Sequence, residues 1–373
     1  TPIVVGLALL LALIPPLFFG GAWDDYLLRA ATFLVLSCPC ALVLSVPLTF
    51  MSGLGLASEN GILIKGSQYF ENLNQAQVLL TDKTGTLTTG KFKVEDVKYF
   101  GDYDKEEILD YIYNIELLST HPIAKGVVES LNREEKPDLF KNVTNEKGLG
   151  VKAINQNDQE IKIGSARYVG YKEEEKDRSI YLSIDENLAA KVIIEDDIKE
   201  NTKETIDNLK DHFKEVLVVS GDSEQVVKET SNKLGLTDYY AEVMPDEKLK
   251  VLKEFETKGE KTVFVGDGIN DAPVLANASV GISMGETASD LAIESSDILV
   301  VNGEFAKLNE LLKISDITNQ TVRQNITFIL LVKLVILILG FLGMANMWLA
   351  IFGDVGVSII AVLYSMRILK IKI

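Results

Sequence analysis

Val78-Leu-Leu-Thr-Asp82-Lys83-Thr84-Gly85-Thr86-Leu87-Thr88 decides how this chain folds. Its short apolar run, Val78–Thr81, ends in an aspartate and a glycine-containing turn. That pattern reads as a buried parallel strand whose C-terminal end carries a carboxylate. Open α/β sheets place their chemistry at such strand ends. A carboxylate there can act as a nucleophile that becomes phosphorylated, and a lone aspartate after a strand can also be only a helix cap.

Outward from this strand, the apolar runs Val216–Ser220, Thr262–Val265, Val280–Ile282 and Ile298–Val301 alternate with helical patterns. They predict a parallel α/β sheet. Residues 92–190 differ, being rich in Lys, Glu, Asp and Asn, and read as an inserted α+β domain. Four apolar stretches lie outside this soluble part, near Ile3–Phe19, Leu27–Ala57, Ile326–Gly343 and Met347–Leu369. Each approaches the roughly 20 apolar residues a membrane-spanning helix needs. The fold class is therefore multi-domain: transmembrane α-helices plus an α/β domain carrying an α+β insertion.

The net charge of -17 over 373 residues excludes nucleic acid as a partner, since that requires basic patches. The 2 cysteines, Cys38 and Cys40, are too few for a disulfide framework. The chain opens on Thr1-Pro2 without Met or a basic leader, so it reads as cut from something longer. Lys65, Arg323, Arg367, Lys370 and Lys372 flank the apolar stretches on the side of the charged segment. The positive-inside rule then predicts that the soluble part and the C-terminus are cytoplasmic, in a bacterial plasma membrane.

The run Asp82-Lys83-Thr84-Gly85-Thr86-Leu87-Thr88 resembles the phosphorylation motif of the P-type ATPases, a haloacid dehalogenase-like fold. The resemblance implies that Asp82 is the phosphorylated residue and that the Thr84 carbonyl faces Mg²⁺. Related phosphatases place a second Asp where Thr84 stands, so a phosphoenzyme here should persist. Ser220-Gly221-Asp222 resembles the family's Thr-Gly-Asp, and Pro245-Asp-Glu-Lys248 its Pro-x-x-Lys, whose lysine neutralises phosphoryl charge. In Gly266-Asp267-Gly268-Ile269-Asn270-Asp271, Asp267 would hold Mg²⁺, Asp271 support it and Asn270 contact phosphate. The cofactors implied are ATP and Mg²⁺, with Lys83 and Lys248 offsetting the charge of the nucleotide.

Within the insertion, Ser119-Thr-His121-Pro122 is similar to the nucleotide signature of heavy-metal P-type ATPases, with Thr120 where the family usually has Glu. The same likeness implies nucleotide contacts at Glu116, Gly148 and Gly150. It also divides the chain into membrane segments 1–58 and 322–373, a phosphorylation domain 59–91 and 191–321, and a nucleotide-binding domain 92–190.

Cys38-Pro39-Cys40 interrupts the second apolar stretch. A proline opens a helix, so both sulfurs can turn toward one ion, or they can pack as small buried thiols. Ahead of Asp82, the motif resembles the heavy-metal branch of the family. Asp354 and Lys333 lie mid-way along the last two apolar stretches, where charges are costly and default to function; a mutual salt bridge gluing two helices is the bland reading. Two thiolates and a carboxylate suit Zn²⁺, Cd²⁺ or Pb²⁺. Lys333 would then neutralise Asp354 once the ion leaves. Copper(I) export, a membrane-anchored phosphatase and a non-transporting metal- or nucleotide-binding fragment are the alternatives. The family's actuator loop, Thr-Gly-Glu, is absent from the sequence. The chain alone is therefore expected to bind nucleotide without sustaining transport, with the actuator of a parent chain as a missing partner.

Overall fold

A computed structural model describes residues 2–36, 40–119, 121–146, 149–172, 178–285, 289–341, 344 and 347–373. It divides into two compact units, Thr1–Gln75 with Lys307–Ile373, and Ala76–Ala306.

The first unit is helical, with one short strand, β1 (Ile62–Ile64). Three of its helices are long and apolar enough to cross a membrane: Cys40–Glu59, Lys307–Gly340 and Trp348–Lys370. The sequence led us to expect four such spans. The first stretch is the apolar helix Pro2–Phe19, of which Val5–Phe19 counts as a shorter apolar helix among the described residues. The second stretch is two helices, Trp23–Leu36 and Cys40–Glu59. Outward-facing leucines, among them Leu330, Leu331 and Leu334, stay exposed, which suits a lipid solvent rather than water. Inside the bundle, polar side chains join the helices. Asn325 Nδ2 donates to Thr49 Oγ1 at 3.2 Å and to Ser365 Oγ at 2.8 Å, binding three helices at one level.

In the second unit, β2 (Val78–Thr81) is buried at all four positions. A strand covered on both faces reads as a continuous apolar run rather than an alternation. The insertion follows, with β3 (Thr88–Tyr99), β4 (Phe140–Glu146), β5 (Gly150–Asn155), β6 (Glu160–Gly164), β7 (Ser179–Ile184) and β8 (Asn187–Ile198). These form a six-stranded antiparallel sheet in the order β3-β8-β7-β6-β5-β4. The helices Lys105–Glu116 and Pro122–Leu131 contribute Ile108, Ile112, Ile115 and Val127 to its core. The chain then returns to the first sheet through β9 (Glu215–Val219), β10 (Tyr239–Tyr240), β11 (Thr262–Gly266), β12 (Val280–Met284) and β13 (Ile298–Val300). Within this unit the strands run β13-β12-β11-β2-β9-β10, which puts β2 between β11 and β9, and each of these pairs is parallel.

The expected α/β fold with an α+β insertion and membrane helices is therefore present. The sequence placed two strand ends a residue too far, at Ser220 and Val301. The backbone at Ser220 leaves the ladder with β2 there, its N–H donating to Tyr240. Leu80 is fully buried in the central strand, beside Phe264 and Val219. Replacing Leu80 by Ala leaves a cavity and is expected to cost about 2–5 kcal/mol. A lowered unfolding temperature in a thermal scan of the chain checks this.

Candidate functional site

The register of the parallel sheet assembles the first site. Thr81 of β2 stands opposite Val265 of β11 on one side and Val218 of β9 on the other. The residues that follow these strands therefore meet at one edge. Asp82, Thr84, Ser220, Gly221, Asp222, Lys248, Asp267, Asn270 and Asp271 line one cleft of about 570 Å³. The turn after Asp82 needs glycine at Gly85, whose φ is 79°. A Cβ there would also lie 2.0 Å from Asp267 Oδ2. A side chain at that position would drive Asp267 out of the cleft.

Lys248, buried on the helix Pro245–Thr257, is shared by two carboxylates. Its Nζ lies 2.5 Å from Asp82 Oδ1 and 2.7 Å from Asp271 Oδ1. Burial pushes the Asp82 carboxyl up to about 7; Lys248 opposes this, and the neighbouring Asp271 and Asp267 reinforce it. Burial works against the Lys248 charge as well, but Asp82 and Asp271 outweigh it and hold the ammonium above its ordinary value. Asp82, Asp267 and Asp271 bring carboxylate oxygens within 4.8 Å of one another. One ammonium among three carboxylates leaves an excess of negative charge. Hard oxygen donors in surplus are the donor set that Mg²⁺ takes, so these residues fit that ion.

Lys83 does not face the cleft as the sequence suggested. It is 1% exposed, with Nζ 2.8 Å from Asp222 Oδ2 and 3.9 Å from Asp196 Oδ2. Its ammonium is paired inside the protein with Asp222, which itself lines the cleft. Asp222 is equally occupied, because Arg178 Nη2 lies 2.5 Å from its Oδ1. Burial alone would raise Asp222, yet Lys83 and Arg178 hold it below the usual carboxylate range. Arg178 precedes β7 of the insertion, so this pair joins the insertion to the core. At the base of the β3–β8 pair, Thr88 Oγ1 donates to Asp196 Oδ2 at 2.7 Å. Lys199 Nζ donates to the Gly85 carbonyl at 2.5 Å. The sequence reading missed Arg178, Asp196 and Lys199. Their pairings depend on the return path of β8, and nothing in the local pattern marks them.

The second cavity, about 310 Å³, lies in the insertion. Glu116, His121 and Gly150 line it, with Gly164 and Ser165. His121 caps the helix Pro122–Leu131, its Nδ1 accepting from the Ile123 N–H at 3.3 Å, and Pro122 takes the first helical position. Gly148 lies outside the described residues. Burial pushes the Glu116 carboxyl up to about 7.

In the membrane unit, Cys40 and Asp354 line a pocket of about 420 Å³ together with Leu44, Leu48 and Ser358. Lys333 Nζ stands 3.5 Å from Asp354 Oδ1. Asp354 sits in a widened helical turn, Phe352–Gly356, a local irregularity that often marks function. Gly353 allows this turn to approach its neighbour: a Cβ there would lie 2.4 Å from Ile336 Cδ1. Cys38 lies outside the described residues.

A model of the haloacid dehalogenase-like hydrolase family matches residues 76–279. The whole chain is 40% identical over 383 residues to a cadmium, zinc and cobalt-transporting ATPase of Bacillus subtilis (strain 168), covering 54% of that protein. The chain belongs to the haloacid dehalogenase-like hydrolases, and within them to the heavy-metal P-type ATPases. Of a zinc-transporting ATPase of Synechocystis sp. (strain ATCC 27184 / PCC 6803 / Kazusa), it shares 38% identity across 99% of its own length and 53% of the relative. It thus spans about half the length of the curated relatives it matches. Among solved structures, the crystal structure of a zinc-transporting PIB-type ATPase in the E2.Pi state superposes with a TM-score of 0.89 at 28% identity. That match covers 99% of this chain and 62% of the other. The catalytic domain of the CPx-ATPase CopB-B matches with a TM-score of 0.57 at 30% identity, over 69% of this chain and 97% of that one. P-type ATPases use ATP and Mg²⁺ in general, and the apolar helices make this chain a membrane protein.

The Glu116 shift has a measurable sign. Its folded-state value lies above its ordinary one, so its contribution to stability is full below about 4.5 and is lost as pH rises through about 7. Glu116→Gln should therefore gain relative stability on going from pH 5 to pH 8, on the order of 2 kcal/mol. Thermal unfolding of both proteins at the two pH values checks it.

Proposed function

We propose that this chain carries the phosphorylation, nucleotide and ion sites of an ATP-driven exporter of divalent heavy-metal ions. The observation that carries the reading is the shared Lys248. It holds Asp82 beside Asp271 in a cleft that also contains Asp267, at the C-terminal ends of parallel strands.

In this reading ATP binds in the cavity of the insertion, against Glu116, His121, Pro122, Gly148 and Gly150. Asp82 attacks the terminal phosphorus in line, its carboxylate oxygen forming the new P–O bond as ADP leaves. Lys248 offsets charge on the transferring phosphoryl group. Ser220, Gly221, Asp222 and Asn270 position that group at the mouth of the cleft. Mg²⁺ would be held by Asp82, Asp267, Asp271 and the Thr84 carbonyl, and supplies charge neutralisation to the phosphates. Thr84 has no carboxylate to activate water, which favours a lasting aspartyl-phosphate.

The transported ion would be bound by Cys38, Cys40 and Asp354. Thiolates with one carboxylate favour Zn²⁺, Cd²⁺ and Pb²⁺ over copper(I). The names of the relatives add cobalt to that set. Lys333, already beside Asp354, takes over as its counter-charge when the ion departs. The soluble unit would face the cytoplasm of a bacterial cell, following the placement of Lys and Arg.

The chain is expected to take label from γ-labelled ATP with Mg²⁺ as an acid-stable, hydroxylamine-sensitive phosphoprotein. Asp82→Asn should abolish the label and Lys248→Met should slow its formation at least about tenfold. Label persisting in Asp82→Asn would refute the assignment. Independently, Asp354→Ala should lose Zn²⁺ binding by the reduced chain in equilibrium dialysis, while Lys333→Ala should slow Zn²⁺ release.

A further inference from the structure

The interface of the three long helices contains more polar groups than its packing uses. One level is self-sufficient: Thr49 Oγ1 and Ser365 Oγ lie 2.6 Å apart, and Asn325 Nδ2 donates to both. All three residues are buried. Interhelical hydrogen bonds of this kind hold membrane helices together, and packing alone accounts for them.

Ser45 does not fit that explanation. It lies one helical turn before Thr49 on the same buried face, is 0% exposed, and its Oγ has no hydrogen-bond partner among the described residues. An unpaired hydroxyl inside an apolar bundle is unfavourable, and alanine would fill the space without the cost. Further along the same helix, Ala41 packs with Ile329, Val357 and Ala361 in an apolar cluster. Beyond it along the helices come Cys40, Lys333 and Asp354.

We propose that Ser45, Thr49, Asn325 and Ser365 form an oxygen-lined transit site for the divalent cation, set off from the Cys40–Asp354 pocket by the cluster of Ala41, Ile329 and Val357. The inference rests on the proposed ion-exporting function and deepens it. The ligand atoms are the neutral hydroxyl oxygens of Ser45, Thr49 and Ser365, and Asn325, whose Nδ2 faces Thr49 and Ser365, would join them by turning its amide oxygen inward. Such donors bind a hydrated divalent cation weakly, which is what transit requires, since an ion must be able to leave as well as enter. Ser45 supplies the oxygen that nothing in the closed bundle uses. The apolar cluster separates this site from the stronger thiolate and carboxylate ligands until the helices part.

The test uses the reduced full chain in lipid nanodiscs, Zn²⁺ as the probe, stopped-flow loading against a fluorescent zinc indicator, and equilibrium dialysis in parallel. Ser45→Ala and Thr49→Val should load Zn²⁺ at least about tenfold more slowly while their equilibrium affinity stays within about twofold. Ser45→Thr, which keeps the hydroxyl, should restore the rate. Ser45→Ala should melt no lower than the unsubstituted chain, because it removes an unpaired group. Unchanged loading rates with binding intact would overturn the transit site alone. Slower loading accompanied by equal losses of affinity and melting temperature would overturn it in favour of helix packing. Failure of the unsubstituted chain to bind Zn²⁺ would overturn the ion-exporting reading itself, and the transit site with it.

Discussion

Everything in the soluble unit depends on keeping three carboxylates close together at the end of a sheet. Asp82, Asp267 and Asp271 repel one another, and burial makes the repulsion worse by removing water. Lys248 compensates for part of this by lying between two of them. Its position follows from the sheet: β2 must stand between β11 and β9 for the strand ends to meet, and the helix Pro245–Thr257 must pack over that edge. Val251, Leu252 and Phe255 of this helix fix it in the core beside Leu80 and Phe264. Apolar packing thus sets an electrostatic distance.

A second charged network lies behind the first and serves a different purpose. Lys83 is adjacent in sequence to Asp82 but turns away from it, into Asp222 and Asp196. The carboxylate of Asp222 is thereby shared between the core and Arg178 of the insertion. One carboxylate lining the cleft is therefore bonded to both the core and the insertion. The membrane unit has its own pair, Lys333 and Asp354, and the glycine at 353 lets the widened turn lie close to Ile336.

Much of this could be read in the sequence because the decisive signals are local. The run Val78–Thr81 is buried on both faces and therefore shows as an unbroken apolar stretch. Asp82 follows such a run immediately, and Ser220 and Asp267 lie at or within two residues of the ends of theirs, so strand prediction also locates them. The carboxylate and lysine in the last two apolar stretches stood out because charge is scarce there. What remained hidden is pairwise. Arg178 and Asp196 are ordinary surface residue types, and only the fold brings them to Asp222 and Lys83. Lys83 was misread for the same reason: sequence gives its nearness to Asp82 but not the direction of its side chain. Hydropathy located the apolar stretches, while helix limits such as Phe19 come only from the structure.

The insertion joins the core through β3 and β8, and these are paired with each other, Thr88 opposite Ile198 at the base and Tyr99 opposite Ala190 at the far end. Entrance and exit are therefore one twisted ribbon rather than two independent tethers. A hydrogen-bonded ribbon bends across its face more easily than it slides along its ladder, because sliding breaks the bonds in register. A shift of the insertion along this ribbon would break the β3–β8 ladder in register. The pairing therefore ties the cavity of the insertion to the core that holds Asp82 through one paired element rather than two independent ones.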